Sequence, residues 1–242
     1  MTRTWVLTRA QPDADADAAA LRARGLTALA VPCIERVALP WPQWRTATAR
    51  QVILISSPFA ATQLALAWPT LPTPRPRVAA MAPITSLKLQ EQGIPVDIHA
   101  EGGVVALAGA LAVWSQQHPG PLAVLYATSD AGLRQPEQDE ALALMRSFAN
   151  VDRVAVYSTR APLGLDAALG ALQPGLGYVF MSPSAVENAS FARRGQSLAA
   201  GAVACIGQST LRRCTELAMH PTPTHHSSFS VFLSALNREK TP

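Results

Sequence analysis

Short apolar runs alternate along this chain with stretches whose apolar residues recur at helical spacing, and the alternation begins at once. Residues 5–8 read as a buried strand. Asp13, Asp15 and Asp17 then open a helix that carries Ala14, Ala18 and Leu21 on one face. Arg22 and Arg24 close that helix and Gly25 follows, so acids stand at the positive end of its dipole and bases at the negative end. Residues 26–31 return to strand. A strand, a helix and a second strand within so few residues predict a parallel sheet covered by helices.

The pattern continues to the end. Strands are predicted at 52–55, 78–81, 95–98, 122–126, 154–157, 178–181 and 202–206. Helices are predicted from Pro58 and at 84–92, 104–116, 137–149, 184–193, 209–217 and 230–237. That count fits two doubly wound α/β units better than one. The chain also resembles itself. At an offset of 125, residues 52–111 fall on 177–236 without a gap and with ten identities, among them Ser57/Ser182, Pro58/Pro183, Thr85/Thr210 and Leu111/Leu236. About half as many are expected by chance in a chain so rich in alanine, so the shared order of elements carries more weight than the identities.

The repeat divides the chain into segments 1–32, 50–116, 120–157 and 176–242. Two pairings are open. If the first segment joins the fourth and the second joins the third, the chain crosses between domains twice, at 33–40 and 154–162, and these extended stretches act as a two-stranded linker. The domains are then 1–32 with 163–242, and 41–153. If each segment joins its neighbour, no double crossing is needed.

Composition narrows the class. Apolar residues make up 49% of the chain and charged residues 15%, as in a compact protein rather than a disordered one. No apolar run is long enough to span a bilayer, and the start lacks the pattern of a signal peptide, so a cytoplasmic protein without membrane contact is expected. Cys33, Cys205 and Cys214 form neither a metal-binding pair nor a disulfide framework. The five histidines lack paired ligand spacing, and His225-His226 falls in a stretch rich in Pro and Ser that reads as a solvated loop. No metal is expected. The net charge of +4 comes without a Lys/Arg cluster, which excludes nucleic acid and suits a small acidic substrate.

Candidate chemistry gathers where strands run into helices. Ser57-Pro58 and Ser182-Pro183 each follow a buried strand directly, the signature of an N-cap with proline in the first turn. Such a start leaves free N–H groups at the carboxyl edge of a sheet, a seat for a carboxylate or phosphate; its plain role is capping. Thr85 and Thr210 occupy the next strand-to-helix turns. Arg9 ends the first strand as a cation at the same edge, and Tyr157 ends the strand at the second crossing. No nucleophile elbow, phosphate-binding loop or zinc-protease motif is present. An enzyme built this way works by holding its substrate in shape.

The segments "TWVLTRAQPDADADAAALRARGLTALAVPCIE", "ISSPFAA", "VAVYSTRAP", "FMSPSAVEN" and "CIGQSTLRR" resemble those of the uroporphyrinogen-III synthases, in order and over essentially the whole chain. The resemblance implies two α/β domains, the first built from both chain ends, with a two-stranded linker and the site between them. It implies closure of the linear tetrapyrrole hydroxymethylbilane to uroporphyrinogen III, with loss of water, inversion of the last ring and no cofactor. Tyr157 then matches the tyrosine that assists departure of the hydroxyl, and Thr85 and Thr210 match the cleft threonines. Ser57, Ser182 and Ser184 match the family's strand-end loops, and Arg9 is expected from its place at the sheet edge to bind substrate with them. "AMAPITS" and "LYATSDAG" depart from the family's usual glycine and Arg-Gly patterns. A monomer is expected. The rival reading is a cytoplasmic two-domain protein that binds a small anion without catalysis.

Overall fold

The computed structural model describes residues 3–41, 51–134, 136–193, 198 and 200–238. Parts of both expected domains, residues 42–50 and 239–242 among them, lie outside the described residues. The first half of the chain runs β1 (Trp5–Leu7), α1 (Asp13–Arg22), β2 (Ala28–Ala30), β3 (Glu35–Ala38), β4 (Gln51–Ile55), α2 (Pro58–Ala67), β5 (Arg77–Met81), α3 (Ile84–Glu91), β6 (Ile98–Ala100) and α4 (Val104–Gln117). The second half runs β7 (Ala123–Ser129), α5 (Pro136–Arg146), β8 (Asn150–Arg160), α6 (Leu165–Gly170), β9 (Gly177–Phe180), α7 (Pro183–Ala192), β10 (Ala202–Ile206), α8 (Gln208–Glu216), β11 (Thr224–His226) and α9 (Phe229–Arg238).

Two compact units result, one of residues 1–35 with 160–242 and one of residues 36–159. The first holds a sheet of order β2-β1-β9-β10-β11, parallel throughout. The second holds β3-β8-β7-β4-β5-β6, with every pair from β8 to β6 parallel. Matching β8 to β2, β7 to β1, β4 to β9, β5 to β10 and β6 to β11 superposes one order on the other; β3 is an added edge strand of the second sheet. Strand β1 pairs with β9, and β4 pairs with β7.

Both units are doubly wound because their strands are apolar on both faces. In the first, Leu7, Val179 and Ala204 meet α1 and α9 through Ala14, Leu21 and Phe232. Val6, Tyr178 and Cys205 meet α6, α7 and α8 through Leu169, Val186 and Cys214. In the second, Val52, Leu54 and Val124 pack on α4 and α5, while Ile53, Ile55 and Val78 pack on α2 and α3. Alternate residues of one strand thus serve opposite layers, as the period of two requires.

The structure departs from expectation at four elements, the first being β6, which begins at Ile98, where the predicted strand 95–98 ends. His225 and His226 lie on β11 rather than in a loop: the segment is extended because it pairs with β10, His225 opposite Cys205 and His226 opposite Ile206. The His226 ring then meets Phe232 edge to face at 5.2 Å. Strand β8 is 11 residues long, well beyond the predicted 154–157. Helix α6, a short element of 6 residues, has no counterpart in the prediction.

Candidate functional site

Strand β4 delivers its chain end to Ser57, which has extended dihedrals (φ −140°, ψ 148°) and accepts the Ala60 N–H on Oγ at 3.2 Å, with Pro58 filling the first helical position of α2. Strand β9 does the same at Ser182 (φ −155°, ψ 148°), whose Oγ accepts the Ala185 N–H at 3.2 Å. The proline ring lacks an N–H where a helix start has no partner for one, so both sequences cap themselves. At the neighbouring strand ends, Thr85 and Thr210 stand in the first turns of α3 and α8 and are both buried. Ile84, one residue before Thr85, is 68% exposed, so the open surface at that turn is apolar.

In the second unit these strand ends form a hydroxyl cluster. Tyr157 Oη donates to Ser57 Oγ at 3.1 Å, and the Phe59 ring meets the Tyr157 ring edge to face at 5.0 Å. Ser56 and Tyr126 pair their hydroxyls at 3.3 Å. The position of Tyr157 follows from a register shift: β8 follows β7 residue for residue up to Thr128↔Ala155, and then Ser129 pairs with Tyr157. Val156 is the extra residue, and both Val156 and Tyr157 pack into the same cluster with Ile55 and Ala60. Strict alternation would send Tyr157 to the opposite face. The bulge turns it toward Ser57 instead.

Asp130 holds the bulged strand end in place. It accepts from Ser158 Oγ at 2.7 Å and from the Thr159 N–H at 3.0 Å, while its own N–H donates to the Tyr157 carbonyl at 3.0 Å. Ser56, Tyr126, Asp130 and the bulge were not singled out by sequence reasoning. Asp130 lies in "LYATSDAG", the segment that departs from the usual family pattern, and that departure was the one signal pointing to it.

The first unit's edge is built differently. Ser184, in the first turn of α7, is half-buried, and Ser182 Oγ makes only its capping bond among the described residues. Arg9 is engaged by two carboxylates, Asp13 at 2.8 Å and Asp17 at 3.2 Å. The i,i+4 spacing from Arg9 to Asp13 ties the strand end to α1. A groove of about 1130 Å³ lies elsewhere in this unit, along the 161–166 segment, α7 and α8; Leu163, Phe191 and Arg213 line it, and Ser182, Ser184 and Thr210 do not.

Burial shapes the titratable groups. It raises the Asp17 carboxyl above its ordinary value of 3.8, with Arg9 opposing the shift through charge and hydrogen bonds. It raises the Tyr126 phenol, against hydrogen bonds from Ser56 and Thr128. The Cys33 thiol is pushed up to about 12 by burial. Cys214 is raised first by its bond with Cys205, whose Sγ lies 3.2 Å away, and then by burial. No helix among the described residues is long and apolar enough to cross a membrane.

Two solved structures share this fold. Uroporphyrinogen-III synthetase from Helicobacter pylori is 14% identical, with 99% of this chain and 100% of that chain covered and a TM-score of 0.64. A mutant uroporphyrinogen III synthase from the extremely thermophilic bacterium Thermus thermophilus is 17% identical, with 97% and 98% covered and a TM-score of 0.57. At such identities the likeness establishes the fold. A search of curated protein sequences found no match. A family model, HEM4, described as uroporphyrinogen-III synthase HemD, matches residues 15–232. With nearly its whole length inside that match, the chain belongs to the uroporphyrinogen-III synthase family.

Proposed function

We propose that this chain performs its family's reaction as a hydro-lyase: it closes hydroxymethylbilane to uroporphyrinogen III, expelling water and inverting the last pyrrole ring, without a cofactor. The family match over residues 15–232 carries this reading. Chemistry explains why no nucleophile or metal is required. An electron-rich pyrrole expels its benzylic-type hydroxyl once that oxygen receives a proton or a strong hydrogen bond, giving an azafulvene. Unassisted closure then yields the uninverted isomer. The protein's task is to make attack through the spiro route the near-attack geometry.

The hydroxyl pair of Tyr157 and Ser57 takes the role of assisting that departure, since both are O–H groups able to donate a hydrogen bond to the leaving oxygen. The substrate carries eight carboxylates. Helix starts at Ser57 and Ser182, whose prolines and caps leave the Phe59 and Ser184 N–H in the first turn, and the first turns holding Thr85 and Thr210 supply positive dipole ends and N–H groups for them. Because Thr85 and Thr210 are buried, their contribution runs through the backbone of those turns. Arg9 meets a substrate carboxylate only in competition with Asp13 and Asp17. Segments 33–40 and 154–162, most of whose residues belong to the second unit through β3 and β8, carry the chain from one unit to the other in the role of linker, and the protein acts as a cytoplasmic monomer. The rival reading, an anion-binding protein without catalysis, draws on no specific observation. Consumption of freshly prepared hydroxymethylbilane tests the reading: its lifetime shortens in proportion to added protein, whereas an unchanged lifetime rules the reading out.

A further inference from the structure

Ser57 Oγ sits at the meeting point of two hydrogen bonds, both of which it accepts: one from the Ala60 N–H at 3.2 Å and one from Tyr157 Oη at 3.1 Å. A serine hydroxyl has two acceptor positions and one proton. With both acceptor positions filled, what Ser57 offers to anything further is its O–H. Tyr157 is in the converse state, its phenolic proton already directed at Ser57. The tyrosine is only 9% exposed, while Ser57 is half-buried and is the more open member of the pair.

The internal repeat supplies a comparison within the molecule. Ser182 has the same dihedral class, the same following proline and the same capping distance as Ser57, yet among the described residues its Oγ bonds only the Ala185 N–H. Helix capping therefore does not account for a phenol behind Ser57. The register shift that inserts Val156 into β8 aims Tyr157 at that oxygen, and Asp130 fixes the strand end beyond it.

Resting on the synthase reading, we propose that Ser57 is the group that hands the proton to the departing hydroxyl, and that Tyr157 acts through Ser57 by replacing that proton. The C–O bond of the hydroxymethyl group breaks and its electron pair leaves on oxygen. That oxygen takes the Ser57 proton and departs as water. Ser57 takes the phenolic proton of Tyr157, so a phenolate stands opposite the cationic azafulvenium formed by the pyrrole. When the closed ring system regains its aromatic pyrroles, the proton it sheds returns to the phenolate through the same pair, and the balance is loss of one water.

The test compares the wild-type enzyme with Tyr157→Phe, Ser57→Asn, the double variant and Ser57→Thr, reading kcat and KM for hydroxymethylbilane. Asparagine caps helices as well as serine does, and its amide donates hydrogen bonds without passing a proton, so Ser57→Asn separates the relay from the cap. Each of the Phe and Asn variants lowers kcat about tenfold or more, with KM changed by less than about twofold. The double variant is no slower than the slower single one, and Ser57→Thr recovers kcat. A Ser57→Asn enzyme with wild-type kcat, or single effects that multiply in the double variant, overturns the proposal while leaving the synthase reading intact. A wild-type protein that leaves hydroxymethylbilane to its spontaneous closure overturns the synthase reading itself, and this is seen before any variant is compared.

Discussion

Ser57 and Ser182 satisfy the same need, an N–H three residues into a helix, with the same atom at the same distance. Replacing an N-cap serine by alanine costs on the order of 1 kcal/mol, and asparagine largely restores it. Ser182→Ala is expected to lower unfolding stability by about that amount in a urea titration, with Ser182→Asn close to wild type; equal losses in both variants would show that more than the cap is removed. Asp17 permits a prediction in pH. Burial holds its folded carboxyl above the ordinary 3.8, so the folded protein keeps a proton there that the unfolded chain has released. The stability this group contributes is fully present below 3.8 and is lost as pH rises through the folded value. Across that window the wild type loses stability relative to Asp17→Asn. Urea unfolding of the two proteins, run side by side, checks this, and parallel curves contradict it.

At the scale of elements, the repeated strands show how one register tolerates two solutions. Trp5 lies opposite Gly177 in the first sheet, while at the matching place in the second Val124 lies opposite Val52. The large-small pair and the two medium residues serve the same position in the two sheets. A Cβ at Gly177 would stand 2.5 Å from the Trp5 ring, which also meets Phe232 edge to face at 5.0 Å. Gly177→Ala is therefore expected to destabilise the first unit by about 1–3 kcal/mol, read from chemical denaturation, with recovery in a Gly177→Ala/Trp5→Val double variant. Failure of the second change to recover stability would show that the indole is not the obstacle. Most elements were legible in the sequence because the strands, buried on both faces, are short apolar runs and the helices repeat at 3.6 residues, and the Ser-Pro starts mark the helices α2 and α7 outright. Strand β11 was not legible. Its sequence, Thr224-His225-His226, has no apolar alternation, and it is extended because β10 offers an edge. Nor was the β8 bulge, since a bulge is defined against a partner strand and leaves no local mark. Tyr157 was singled out because the strand was expected to end there, whereas β8 runs on to Arg160; its hydrogen bond to a residue 100 positions earlier left no mark in the sequence.

For the molecule as a whole, the chain folds as two α/β units of matching strand order, and each has a serine-capped helix start at the carboxyl end of a central strand. That arrangement is suited to carboxylates, and the net charge of +4 agrees with an anionic substrate. Synthase activity consists in steering as much as in acceleration, because hydroxymethylbilane closes unaided to the uninverted isomer. The direct measurement is thus the identity of the product: incubation with hydroxymethylbilane, oxidation of the products to porphyrins and separation of the isomers. Isomer III in excess, rising with protein concentration at the expense of isomer I, is the predicted result; isomer I alone, formed at the spontaneous rate, would contradict it.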